Sequence, residues 1–288
     1  MDRVDLALSR ILLEDSRTSY SEMGKMVGLT TQAVHRRVKN LFDEGIIEGT
    51  VTRPSLAALG LTHVIIQGYS KCPSMDDVAD RLSKHPAIAV MQTASGNRLY
   101  VHAGIESADG LANLVSHIQK EASLSSLQVG MVDGPPIAPA GSLTRTDLRI
   151  IAALRDDSRR TVADISEQLG VTAKTIRNRI KRMKDEGLVT FTIKWRPDAH
   201  GDTVSKIHVK LREDVPREKV ALYMVSHFSD NIINTVSLSN IPDTLMVTIW
   251  TESVRDMNRL CKDLYSTGLV ESAYPVVLLD IHYFSPSM

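Results

Sequence analysis

Basic side chains crowd one short stretch of this 288-residue chain: in Thr172 to Gly187, TAKTIRNRIKRMKDEG, Lys174, Arg177, Arg179, Lys181, Arg182 and Lys184 all precede the first acid. A local excess of this kind suits a polyanion, because each phosphate that a cation neutralises releases a condensed counterion. The whole chain carries 34 Lys and Arg against 34 Asp and Glu, so the attraction has to be local. A lone basic helix face is usually just solvated. This one is not alone: Thr30 to Gly45, TTQAVHRRVKNLFDEG, repeats it with His35, Arg36, Arg37 and Lys39.

Other chemistry has little support in the residues. Cys72 and Cys261 have no Cys or His partner at ligand spacing, and both read as small structural residues. There is no nucleotide-binding glycine loop, nucleophile elbow or metal motif, so no catalytic group, no metal site and no enzyme are expected. No apolar run approaches the roughly 18 residues of a membrane span, and MDRVDLALSR lacks a signal-peptide core. A cytoplasmic location without a membrane partner is expected.

The elements that position the basic residues can be read from periodicity. Ile176, Ile180 and Met183 form one apolar stripe behind an N-cap at Thr172, and Val34, Val38 and Leu41 repeat it behind Thr30. Helices over Asp2–Leu13 and from Thr18-Ser19 to Val27, then the turn at Gly28, precede the first basic helix. That is a helix-turn-helix, in which one helix crosses the phosphate backbone and the next enters the major groove of double-stranded DNA. The expected contacts are Thr31, Gln32, His35, Arg36, Arg37 and Lys39 in the first copy. In the second they are Lys174, Thr175, Arg177, Asn178, Arg179 and Lys181, with Arg37 and Arg179 closer to the inward stripe, where each either contacts a phosphate or braces the fold. The β-rich stretches IIEGTVTRP and LVTFTIKWRP are expected to form a wing in each module. Further matches, Asp5-Leu6 with Asp147-Leu148 and Asp15-Ser16-Arg17 with Asp157-Ser158-Arg159, extend the register. A period of about 140 residues is far too long for a solenoid and marks a duplicated module.

After each module the period changes to strands and helices in the order βαββαβ, the ferredoxin-like arrangement of a four-stranded sheet with two helices on one face. The expected class is therefore α+β, two winged helix-turn-helix domains alternating with two ferredoxin-like βαββαβ domains. The boundaries are 1–54, 55–132, a Pro- and Gly-rich linker at 133–142, 143–197 and 198–288. Pro275 is expected at the edge or start of the last strand.

This order of parts resembles the leucine-responsive (Lrp/AsnC) family of transcription regulators. The resemblance rests on the opening Asp-Leu, the Asp-Ser-Arg, the Gly-[Leu/Val]-Thr, Arg37 and Arg179, the Glu-Gly-[Ile/Leu]-[Ile/Val], and Gly60 and Gly201. It covers almost the whole chain twice, like two family members fused head to tail. It implies βαββαβ domains that pair and bind a small, amino-acid-like effector, with no other cofactor. The family's pocket has a Gly followed closely by Asp between the second and third strands. The corresponding residues here are Gly96 and Asn97 in the first copy, without the acid, and Asn240 and Asp243 in the second, without the glycine. A homodimer in which the halves of two chains cross-pair is expected, burying the open sheet faces, with a pseudo-dimer formed by the two βαββαβ domains of one chain as the alternative.

Two alternatives stay open. A family of haem-biosynthesis decarboxylases resembles Lrp/AsnC proteins in both modules, and would need His and Arg groups such as His102, near Tyr100, with His208 or His282, to hold a tetrapyrrole's carboxylates. A sensing protein with decayed DNA contacts is the other, since Gln32 and His35 stand where the second copy has Lys174 and Arg177.

Overall fold

Reciprocal hydrogen bonds between a cap residue and the third residue of the helix start both helix-turn-helix modules. In the computed structural model, which describes residues 1–134, 142–196 and 202–284, Asp2 and Asp5 cap α1 (Arg3–Glu14), and Ser19 and Glu22 cap α2 (Tyr20–Val27). Gly28, left-handed at φ +70°, ends α2, and Thr30 caps α3 (Thr31–Asp43), which is followed by β1 (Ile47–Pro54). The first βαββαβ half comprises β2 (Thr62–Ser70), α4 (Met75–Leu82), β3 (Ile88–Ala94), β4 (Arg98–Ile105), α5 (Ala108–Glu121) and β5 (Leu124–Met131). The second module repeats the capping scheme in α6 (Arg145–Ala153), α7 (Val162–Leu169) and α8 (Ala173–Asp185), and continues into β6 (Val189–Trp195). The second half is β7 (Thr203–Leu211), α9 (Arg217–Phe228), β8 (Ile232–Leu238), β9 (Ile241–Thr251), α10 (Val254–Ser266) and β10 (Val270–Tyr283). Most of the expected linker at 133–142, and Pro197 and Gly201, lie outside the described residues.

Modules of one kind group together: the helix-turn-helix modules form one compact unit and the βαββαβ halves another. In the first unit the expected β-rich stretch after each basic helix forms its wing ribbon across the two modules rather than within one. Each module contributes a single strand, and β1 pairs antiparallel with β6 from Ile47↔Trp195 to Pro54↔Val189. The physical reason is that a lone strand leaves its N–H and C=O groups unpaired, and here each strand satisfies the other. The ribbon is anchored crosswise, Thr192 donating to the Leu13 carbonyl at 2.8 Å and the Thr52 N–H to the Arg155 carbonyl at 3.1 Å. At its centre the buried hydroxyls of Ser16 and Ser158 meet at 2.5 Å. Arg17 donates to the Ser158 carbonyl, and Arg159 to the Ser16 carbonyl at 2.7 Å. The repeated Asp-Ser-Arg is thus a self-complementary contact about a local two-fold axis.

The second unit is one eight-stranded sheet in the order β5-β2-β4-β3-β10-β7-β9-β8. Each half keeps the ferredoxin-like strand order. Its outer face is packed by its own helices, through Val64, Ile66, Val78, Leu82 and Ile118 in the first half and Ile207, Val209, Val220, Val247 and Leu264 in the second. The halves join because β10 pairs with β7 as far as Val277 and then with β3 from Leu278 to Tyr283, its register shifting between Leu278 and Asp280. Pro275 sits inside this long strand rather than at its start, where β10 has a ladder partner, β7, on one side only. At the far end Val132 bridges to Leu238, and Ser239 N–H donates to the Met131 carbonyl at 2.8 Å, closing the sheet on itself. Gly130 permits this approach, since a Cβ there would lie 2.6 Å from the Leu238 side chain.

The two halves of one chain therefore pair with each other, as in the pseudo-dimer alternative. Covalent linkage favours this outcome, because a half tethered to its partner meets it at high effective concentration.

Removing Arg17 and Arg159 tests the two-fold contact. Each replacement by alanine deletes a charge-assisted hydrogen bond to a carbonyl, a loss of about 2 kcal/mol. The double variant is expected to lose amide-exchange protection along β1 and β6 while the helices inside each module stay protected.

Candidate functional site

The stripe that buries α3 and α8 turns their basic residues outward. Val34, Val38 and Leu41, and likewise Ile176, Ile180 and Met183, are buried. Thr31, Gln32, His35, Arg36 and Lys39 are exposed on α3, and Lys174, Arg177, Asn178 and Lys181 on α8. Thr175 is half-buried, its N–H donating to the cap hydroxyl of Thr172 at 3.3 Å. Lys39 and Lys181 each reach an aspartate one turn on, Asp43 and Asp185, at 2.5 Å. Exposed pairs of this kind contribute little and release the lysine readily to a stronger anion. The ring of His35 makes an edge contact with Tyr20 at 5.2 Å. Arg177, Lys181 and Lys184 also border a groove of about 660 Å³ shared with Arg17, Glu22 and Lys25 of the first module.

Arg37 and Arg179, for which the sequence left open a phosphate contact or a brace of the fold, pair with acids of their own modules. Arg37 pairs with Asp2 at 2.8 Å and Asp5 at 2.7 Å, and Arg179 with Asp147 at 3.1 Å. Arg182 adds a second bond to Asp147 at 2.7 Å. Asp147 is completely buried, which by itself would raise its pKa; bonds from Thr144, Arg179 and Arg182 outweigh burial and hold it below the ordinary value. These arginines tie each recognition helix to the start of the module's first helix.

The four residues assigned to an effector lie at hairpin ends. Gly96 and Asn97 are exposed, with φ of +72° and +57°, and serve the tight turn between β3 and β4. Asn240 is committed to the seam, its Oδ1 accepting from the Met131 N–H at 2.7 Å and its Nδ2 donating to the Val129 carbonyl at 2.9 Å. Asp243 is exposed within β9 and bonds only locally, to the Thr244 hydroxyl.

Sequence reasoning passed over the inner face of the closed sheet, apart from its histidines. Tyr100 on β4 and His208 on β7 are three strands apart, about 14 Å along a flat sheet. Their OH and Nε2 nevertheless meet at 2.6 Å, so the sheet is curled and its inner faces touch. His208 stacks on Tyr274 at 4.9 Å, and Lys206 Nζ lies 4.8 Å from the centre of the Tyr100 ring. Arg98 donates to Gln67 and Tyr69, and His63 and His102 meet at 3.2 Å.

Among the described residues no carboxylate pairs with Arg98 or Lys206. Burial, with the Arg98 charge added, lowers the Lys206 pKa to about 8. Burial, with the Lys206 charge behind it, lowers His63 to about 4 and places His102 well below its ordinary value. For His208 burial comes first and the Arg98 and Lys206 charges follow, lowering it to about 3. Arg98 Nε, His102 Nε2, Gln92 Oε1 and Trp250 Nε1 are buried without a partner. The signal was present as polar residues at every second strand position, in Arg98-x-Tyr100-x-His102 and Lys206-x-His208.

A metal site was not expected from the sequence. One group of three residues nevertheless has its ligand atoms within metal-binding reach, Asp76, Asp280 and His282.

Comparison with known proteins fits the helix-turn-helix reading. The AsnC-type helix-turn-helix domain matches residues 1–41, and a winged helix-turn-helix DNA-binding domain matches residues 143–190. The HTH-type transcriptional regulator LrpA of Pyrococcus horikoshii is 31% identical over 137 residues, which cover 89% of it and 46% of this chain. The chain belongs to the Lrp/AsnC family of transcription regulators. LrpA of Pyrococcus abyssi is also 31% identical, over 98% of its length and half of this chain.

A solved structure of the siroheme decarboxylase NirDL matches almost end to end, covering 99% of this chain and 95% of its own, with a TM-score of 0.62 and 12% identity. NirDL has also been solved with an iron-uroporphyrin III analogue. At that identity the likeness establishes the fold. It also overturns the expectation that this chain is no enzyme, because the architecture with which it aligns over its whole length is that of an enzyme. No helix among the described residues is long and apolar enough to cross a membrane.

Lys206 gives the inner cluster a measurable signature. Its folded pKa lies below its unfolded value near 10.4, so the unfolded chain takes up a proton first as pH falls, and the folded state loses stability between about pH 10.4 and 8. The full penalty, on the order of 3 kcal/mol, is then present at neutral pH. Lys206→Met is expected to be more stable than wild type at pH 7, with the difference shrinking towards pH 10.5 in denaturant titrations.

Proposed function

We propose that the chain is a DNA-binding transcription regulator that reads double-stranded DNA through α3 and α8, both recognition helices coming from one polypeptide formed by tandem fusion of two Lrp/AsnC-type subunits. The observation that carries the reading is the two-fold contact at Ser16 and Ser158 with the β1–β6 ribbon, which makes the modules one unit while α3 and α8 keep their basic faces exposed. In this reading Lys174, Arg177, Asn178 and Lys181, with Gln32, His35, Arg36 and Lys39, face the major groove. A small amino-acid-like effector completes the proposal. The exposed turns at Gly96-Asn97 and Asp243 are its candidate site, and Asn240 holds the neighbouring seam.

The test is the salt dependence of binding to duplex DNA, measured by fluorescence anisotropy. Replacing Arg177 and Lys181 together by alanine should weaken binding and lower the slope of log K against log salt by about two, since each lost phosphate contact removes roughly one counterion. An unchanged affinity and slope would remove α8 from the interface. The same pair of measurements on Arg36→Ala with Lys39→Ala decides whether α3 contributes equally.

A second reading, a tetrapyrrole-modifying protein, is favoured by the inner face of the closed sheet, where Arg98 and Lys206 lack carboxylate partners beside His63, His102 and His208. Eight strands close around an interior that either fills with side chains or admits one small ligand. An iron porphyrin added to the protein should then give a shifted visible absorption band that Lys206→Met weakens. An unshifted spectrum would leave the regulator as the sole reading.

A further inference from the structure

The two junctions between the βαββαβ halves are alike in backbone and unlike in charge. Thr93 and Ser237 are equivalent, each the last residue but one of its strand, and each has an aspartate opposite. At the short seam Asp133 donates its N–H to the Ser237 carbonyl at 2.9 Å. Its carboxylate accepts from Arg217, the first residue of α9, at 2.8 Å. At the long seam Asp280 stands opposite Thr93 in the ladder. The equivalent helix, α4, brings no arginine there and presents Asp76 in its first turn. His282, two residues further along β10, completes the group.

One ligand atom from each of Asp76, Asp280 and His282 can be chosen so that all lie within 4.8 Å of one another. His282 Nε2 is 3.5 Å from Asp280 Oδ2, shut off from solvent and without a hydrogen-bond partner. A guanidinium meets the aspartate at the short seam, and an imidazole meets it at the long one.

We infer that Asp76, Asp280 and His282 bind a divalent transition-metal ion that joins α4 of the first half to β10 of the second. Donors bonded tetrahedrally at about 2.1 Å lie about 3.4 Å apart, close to the His282–Asp280 separation. Asp76 is exposed at the start of its helix and can close in by side-chain rotation. One imidazole with two carboxylates suits zinc, manganese, iron(II) or cobalt, whereas magnesium and calcium take all-oxygen sets. Three protein ligands leave a position for water or a small anion. The ligands come from distant parts of the chain, so spacing in the sequence could not reveal them. The inference is independent of the DNA reading, since all three residues belong to the βαββαβ unit.

The experiment is a titration of the chelator-stripped full chain with Co²⁺, followed by visible absorption and thermal melting. Wild type is expected to develop a d–d band that saturates at one ion per chain, with a raised melting midpoint. His282→Ala should abolish the band, and Asp76→Asn should weaken binding by more than about ten-fold. His227→Ala, an exposed histidine on α9, should leave both readouts unchanged. Absence of stoichiometric binding in wild type overturns the inference, and so does a titration that neither His282→Ala nor Asp76→Asn alters. If His282→Ala fails to fold, Asp76→Asn decides alone, because its exposed side chain is not part of the core.

Discussion

An unpaired strand edge is the constraint on which the rest of the structure depends. β1 leaves its module with a row of backbone groups that nothing within that module satisfies, and β6 does the same. Pairing the two fixes the modules against each other, and the hydroxyl pair of Ser16 and Ser158 lies at the centre of that arrangement. The sheet unit solves the same problem on a larger scale. A ferredoxin-like half has free edges at β3 and β5, and the other half covers both, one with the long continuation of β10 and the other with the short bridge at Val132. Closure removes the edges that would otherwise recruit another chain.

Closing the sheet has a consequence for its inner face. Side chains that point away from the covering helices are brought together, and here they include two cations and several imidazoles, with no carboxylate paired to either cation among the described residues. Burying such groups is costly unless they are paired or neutral, and the depressed values of Lys206, His63 and His208 express that cost. Stacking of His208 on Tyr274 and the bond to Tyr100 recover part of it. A core built only for stability would be apolar on both faces, as the helix-covered face is. Stability alone therefore does not account for the polar inner face.

Elements whose signals are local were legible in the sequence. Capping residues, left-handed glycines and apolar stripes gave the helices of both modules, because each depends on residues three or four apart. The βαββαβ order was legible for the same reason. What escaped was pairing between distant segments: IIEGTVTRP carries the same β signal whether it folds back as a hairpin or pairs with β6. Register carries no local mark for where β10 changes partner, so Pro275 was legible as an edge position but not as one inside a long strand. For Arg37 and Arg179 a phosphate contact and a brace of the fold both stayed open, because a basic residue on a basic helix shows its charge in the sequence and its partner, Asp5 or Asp147, only in space. The inner-face cluster was partly legible as period-two polarity, but alternation cannot tell a solvated face from one pressed against another sheet.

Having both halves in one chain also loosens a restriction that a symmetric dimer imposes. When one sequence supplies both sides, every change appears twice, and contacts on the axis must suit themselves. The axial residues here still behave that way, serine meeting serine and arginine reaching the opposite carbonyl in both directions. Away from the axis the halves have separated. Gly24 is packed so closely that a Cβ would lie 2.5 Å from the Leu29 carbonyl oxygen, whereas the equivalent Ser166 uses its hydroxyl to bond the Val171 carbonyl at 2.7 Å. Leu6 is buried, while its counterpart Leu148 is 41% exposed. One seam carries an arginine beside its aspartate, the other two aspartates and a histidine. The recognition helices differ in the same manner, with Gln32 and His35 opposite Lys174 and Arg177. For the proposed DNA reading this means two unlike half-sites, one helix binding chiefly through charge and the other through fewer phosphate contacts, an asymmetry that no homodimer of either half could present.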